Sequence, residues 1–155
     1  MPKKDYTPLL KRLGLAALII ATSVGFFMMF DFEVKKGQDT IRMIQLRYIQ
    51  DALSRYYMDH AGFPAISESF SLNGDTCLSG SGFVSMHDTR CAKKLYAYGF
   101  GVSSDEVFLY TPLEKDRKTS CVSKTNCPWY AIRFLLDTNS IFPKGERMLT
   151  PIGIQ

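Results

Sequence analysis

A chain of 155 residues fits one compact domain plus a short additional element. Its formal net charge of +4 is lopsided: Lys3, Lys4, Lys11 and Arg12 against Asp5 put +3 on residues 1–30, which leaves +1 for the other 125. A nearly neutral domain lacks the basic footprint that nucleic acid selects, so no nucleic-acid binding is expected.

The basic excess sits on residues 1–12, ahead of the uncharged run Leu13–Phe30, LGLAALIIATSVGFFMMF. As a helix, these 18 residues span about 27 Å, close to the roughly 30 Å hydrocarbon core of a bilayer. A transmembrane helix is therefore expected over 13–30. Four Lys/Arg precede the run and Lys35 and Lys36 follow it. That asymmetry predicts a cytoplasmic lead over 1–12 and an extracytoplasmic domain over 31–155. Ala21 and Ser23 also form a passable signal-peptide cleavage site. Cutting there would leave VGFFMMF as a sticky end, which favours a retained anchor. Ala16, Ala17, Ala21 and Gly25 are small enough to let a second helix approach closely, and are the candidate assembly face.

The segment 31–40 is either a juncture or a continuing helix, with Asp39 or Thr40 as candidate cap. Ile41, Ile44, Tyr48, Ala52 and Tyr56, beside Leu46, Ile49, Leu53 and Tyr57, recur at helical spacing and predict a broad apolar stripe over 40–60. Gly62, suited to the left-handed position, and Pro64 should end this helix. Turn chemistry at Asn73-Gly74-Asp75 and Gly80-Ser81-Gly82 predicts a variable loop. Strands are expected over Glu106–Thr111, Trp129–Leu136 and Arg147–Ile154, separated by turns at Ser104-Asp105, Asp137–Asn139 and Lys144-Gly145. The mixed-sign run Glu114–Lys118 reads as a solvated loop. The expected fold class is α+β: a transmembrane helix continuing into a long amphipathic helix that covers a small antiparallel sheet.

Cys77, Cys91, Cys121 and Cys127 all lie beyond the anchor, as an oxidising compartment would allow. Three pairings are possible, and nearest neighbours cost the least loop closure, which favours Cys77–Cys91 and Cys121–Cys127. Gaps of 13, 29 and 5 residues do not suit the close pairs of a zinc site.

The segment IQDALSRYYMDHAGFP resembles the helix end of type II secretion pseudopilins and type IV pilin-like proteins. Ala52, Leu53, Tyr56, Tyr57, Asp59, Gly62, Phe63 and Pro64 occupy the places of that motif. The later YTPL, WYAIRFLL and LTPIGIQ segments and the cysteine pair are similar to pilin-type domains. The resemblance implies a pilin-like fold and a filament subunit, a minor one, in a type IV pilus or pseudopilus. Its partners would be the membrane, like subunits and an assembly platform protein.

Two departures accompany the resemblance. The family's processing site has a glutamate five residues after its glycine, and Ile19 stands there relative to Gly14. Cleavage after Gly14 would bury an ammonium with no carboxylate to meet it, so the chain is expected to stay uncut. Pseudopilins often carry a C-terminal calcium loop, whereas Asp105, Asp116 and Asp137 are widely spaced, so no calcium site is expected.

Enzyme chemistry finds little purchase, and no catalytic residue, cofactor or metal is expected. Gly80-Ser81-Gly82 suits a turn, His60 the end of a helix, and His87 beside Asp88 a surface histidine rather than a base. The alternative function is a membrane-anchored binding module that forms no filament and uses Ala65–Tyr98 to hold a partner.

Overall fold

The computed structural model describes residues 7–66, 69–100, 108–122, 126–139 and 142–155, with side chains from residue 14 onward. The Ser104-Asp105 turn, the start of the expected strand at Glu106 and most of the basic lead lie outside the described residues.

Helix α1 runs unbroken over Thr7–His60, 54 residues or about 81 Å. The segment after Phe30 continues it, helped by the Lys35–Asp31 pair at 2.6 Å one turn apart. The first half is exposed along its whole described length, and the second half packs on the domain. The buried stripe differs from the expected one. Met43, Leu46, Ile49, Ala52, Leu53 and Tyr56 face the core, while Ile41, Ile44, Tyr48 and Tyr57 are 43, 62, 39 and 43% exposed. Two adjacent apolar rows span more of the helix circumference than one sheet face covers, so members of both, Ile41, Ile44 and Tyr48 of one and Tyr57 of the other, stay in solvent.

Asp39 caps no helix start, because the helix began 32 residues earlier, at Thr7. It is 1% exposed and grips the turn after strand β8 (Trp129–Leu136). Its carboxylate accepts from the Asp137 amide at 3.0 Å and from the Thr138 amide and hydroxyl at 2.8 and 2.7 Å. Arg42 donates to both Asp39 and Asp137 at 2.8 and 2.7 Å. Burial pushes the Asp39 carboxyl up, but the hydrogen bonds from Thr138, Asp137 and Arg42 outweigh it and hold the group below its ordinary value.

At the helix end, the left-handed residue is Ala61 (φ 53°) rather than Gly62. Gly62 is needed for close approach, since a Cβ there would lie 2.5 Å from the Asn126 Cβ. Asn126 Nδ2 donates to the His60 carbonyl at 2.7 Å, so the same neighbour also satisfies an orphan carbonyl of the last turn.

The chain then forms antiparallel sheets. Strand β1 (Phe63–Pro64) pairs with β7 (Asn126–Cys127). A five-stranded sheet has the order β10-β9-β8-β6-β2, with β2 Phe70–Leu72, β6 Phe108–Leu113, β9 Gly145–Thr150 and β10 Gly153–Ile154. A three-stranded sheet has the order β4-β3-β5, with β3 Thr76–Ser79, β4 Gly82–Ser85 and β5 Ala97–Tyr98. The stretch expected to be a variable loop thus contributes four short strands. The expected strand Arg147–Ile154 is a hairpin instead, broken at Pro151, which has no amide to donate, and turned by Gly153 at φ 121°. In β8, Tyr130, Ile132 and Phe134 point to the core, and Arg133 and Leu135 to solvent. They join the inner face of α1 in one hydrophobic cluster.

Candidate assembly surface

A helix that is apolar all round must be covered by something. From Leu15 to Val34 the large apolar side chains of α1 are 44–72% exposed, with Phe26, Phe27, Met28 and Met29 near 70%. This stretch has a mean hydropathy of 2.0 in its most apolar window, long and apolar enough to cross a membrane once. Its polar atoms fit that setting. The Thr22 hydroxyl donates to the Leu18 and Ile19 carbonyls, and Ser23 to Ile19, so neither hydroxyl is left unsatisfied in hydrocarbon.

The four small residues do not share one line. Ala17, Ala21 and Gly25 succeed one another at i+4 and form an inclined stripe, whereas Ala16 lies about 100° round the helix from Ala17. A neighbouring helix can follow the first three. A Cβ at Gly25 would meet nothing within the chain, so the room there is available to another molecule.

The surface continues past the bilayer-length segment. Ile44 and Met58, 62 and 75% exposed, lie on the outer side of α1 among Arg47, Asp51 and Arg55. Beside Met58, an apolar hollow of about 380 Å³ is lined by Tyr57, Phe63, Pro128, Trp129 and Pro151.

The residues of the helix-end motif come together here, each with a physical task. Ala52, Leu53 and Tyr56 are buried. Tyr57 covers Phe63 at 4.9 Å, and Phe63 meets Tyr130 edge-on at 4.7 Å. The Pro64 carbonyl accepts from the buried Tyr110 hydroxyl at 2.8 Å. Asp59 accepts from the Tyr96 hydroxyl and pairs with Lys94 at 3.0 Å; both hold its carboxyl below the ordinary value, Tyr96 first. The motif is thus a joint fastening the helix end to the five-stranded sheet and to the segment leading into β5.

Cys77 is bonded to Cys91, and Cys121 to Cys127. Among the remaining candidates, Asp88, His60, Asp116 and Asp137 meet partners within the chain. The Asp88 carboxylate is held by the Arg90 guanidinium and amide, with contacts of 2.6–3.1 Å, rather than by His87. His60 stacks on Tyr56 at 4.1 Å. Asp116 accepts from the Lys118 and Thr119 amides and Asp137 pairs with Arg42, while Asp105 lies outside the described residues.

Sequence spacing assigns Asp39 to a cap and Ile44 to the buried stripe and gives Met58 no role, whereas Asp39 is a buried tether and Ile44 and Met58 lie on the outer face. An acid in line with Met43, Leu46, Ile49 and Leu53 is the one signal that marks Asp39 as buried. No family model, curated protein or solved structure matches this chain.

Proposed function

We propose that the chain is a structural subunit, minor rather than major, of a filament of the type IV pilus or type II secretion pseudopilus kind. The supporting observation is the single unbroken helix. One half is bare and apolar, and the other half is the spine of a disulfide-bonded α+β head. Such a subunit is held in a bilayer before assembly and transfers its apolar half into a bundle of like helices. The Ala17, Ala21 and Gly25 stripe gives close approach, and the Ile44 and Met58 face extends the contact above the membrane.

The Lys/Arg asymmetry sets the N-terminus in the cytoplasm and the head outside. Protease added to intact spheroplasts should therefore digest the head while sparing residues 1–30. Protection of the C-terminus would reverse the orientation.

Processing is a separate point. With Ile19 in place of a carboxylate, an amino terminus created after Gly14 would be buried unpaired, at a cost of several kcal/mol. The intact mass of detergent-extracted protein should therefore correspond to the uncut chain. A species beginning at Leu15 would contradict this and point to a processed tip subunit.

The second reading, an anchored binding module, draws on one observation. The former loop region folds into a sheet that leaves Tyr98 59% exposed and bounds an open cleft.

A further inference from the structure

Two sheet edges meet in one cleft. Strand β2 is the last strand of the five-stranded sheet, and β4 the last of the three-stranded one. Both line a depression of about 790 Å³, through Phe70 and Ser71 on one side and Phe83, Val84 and Ser85 on the other. Phe70 and Phe83 stack at 6.1 Å where the two strands come together.

The hydrogen bonds of β3 fix which main-chain groups of β4 are free. The Thr76 and Leu78 carbonyls accept from Gly99 and Tyr96, on the β5 side. Met86 donates to Asp75 at 2.7 Å, so the bonded pairs of the β3–β4 ladder fall at Asp75/Met86 and, two residues on, at Cys77/Val84. Phe83 and Ser85 then turn their main-chain groups away from β3, toward the cleft. The Ser85 carbonyl is already taken by the Asp88 amide at 2.9 Å. That leaves the Phe83 amide and carbonyl and the Ser85 amide without a main-chain partner among the described residues. Natural edge strands are usually guarded by lysine, proline or a bulge. The sequences FSL and GFVS carry no lysine or proline.

The charge of the cleft is directional. Asp88 is neutralised by Arg90 at 2.6 Å. Asp75 is exposed and has no ion-pair partner among the described residues, and it stands at the Ser85 end of the edge.

We propose that this cleft binds an extended segment of a second protein as an added strand on β4, with a lysine or arginine of that segment set against Asp75. The edge supplies alternating main-chain donors and an acceptor, which only an extended backbone matches along its length, and Phe70 and Phe83 offer an apolar floor for every second side chain. The proposal does not rest on filament assembly, and unassembled protein in detergent is enough to test it.

The test is fluorescence anisotropy of the full chain in detergent micelles with a labelled Thr-Val-Lys-Val-Thr peptide. Saturable binding is expected, weakened at least about tenfold when the amides of the probe are N-methylated, the size of one to two lost hydrogen bonds. Asp75→Lys should weaken the lysine probe and strengthen one carrying glutamate in its place, a reversal that a merely damaged fold would not produce. Equal binding of the N-methylated probe, or no saturation by about 1 mM, would overturn the proposal. Self-association of the chain that the peptide abolishes would assign the edge to a second copy, and would overturn the assignment to a different protein.

Discussion

Asp39→Ala should cost the head about 3 kcal/mol, measured as a shift in urea midpoint at unchanged slope. The magnitude follows from what is left behind. Two amides and a hydroxyl, at Asp137 and Thr138, lose their acceptor in a site that is buried at Thr138 and part-buried at Asp137. Arg42 keeps Asp137, which holds the loss at the low end for a broken buried pair. The effect also has a pH signature. Folding lowers the Asp39 pKa below 3.8, so its contribution is complete above that value and disappears as pH falls through the lower folded one. The parent should lose stability in that acid range, and Asp39→Ala should lose less there. A parent and variant with parallel pH profiles would remove Asp39 as the tether between α1 and the β8–β9 turn.

Reduction of the two disulfides should have the larger effect still. Cys77–Cys91 closes a separation of 14 residues and Cys121–Cys127 one of 6. In the chain-entropy model these loops contribute about 3 and about 2 kcal/mol, together about 5. That is the entire stability of many small domains. Cys77, Cys121 and Cys127 are fully buried, and Cys77 lies in β3, the central strand of its sheet. The reduced head should therefore lose the three-stranded sheet first, with loss of amide protection at Leu78 and Ser79, while α1 keeps its helical signal. Full protection of β3 after reduction would show that the hydrophobic contacts of Leu78 and Phe83 suffice without the bond.

Periodicity in the sequence locates an element where it runs long and leaves no trace where it is short. The β8 strand has eight residues of strict alternation at its centre, and its limits were readable. Likewise, the apolar run and the stripe after it extend over many turns. Strands β2 to β5 have two to four residues each and are made of Ser, Thr, Gly and Cys as much as of apolar residues. No alternation can register over that length, and the turn signals at Asn73-Gly74 and Gly80-Ser81 stood out alone. The Cys77–Cys91 bond and the Tyr96 and Gly99 amides hold β3, and β6 holds β2, which are contacts between residues far apart in sequence. The helix stripe was misplaced for a related reason. Spacing showed that Ile41, Ile44 and Tyr48 are apolar in register, but only the width of the sheet decides which row it covers. Gly62 was selected for the right motif and given the wrong task, because proximity to Asn126, 64 positions away, has no local trace.

Filament assembly requires the bare half of α1 to meet other copies of itself. It is tested most directly by a photo-crosslinking residue placed at Met29, 69% exposed and the next i+4 position after Gly25 in the stripe, in the native membrane. A ladder of dimers, trimers and higher species is expected on irradiation, reduced by Gly25→Leu, which fills the close-approach stripe while leaving the head folded. Crosslinks to lipid alone, or a ladder that Gly25→Leu leaves unchanged, would contradict it.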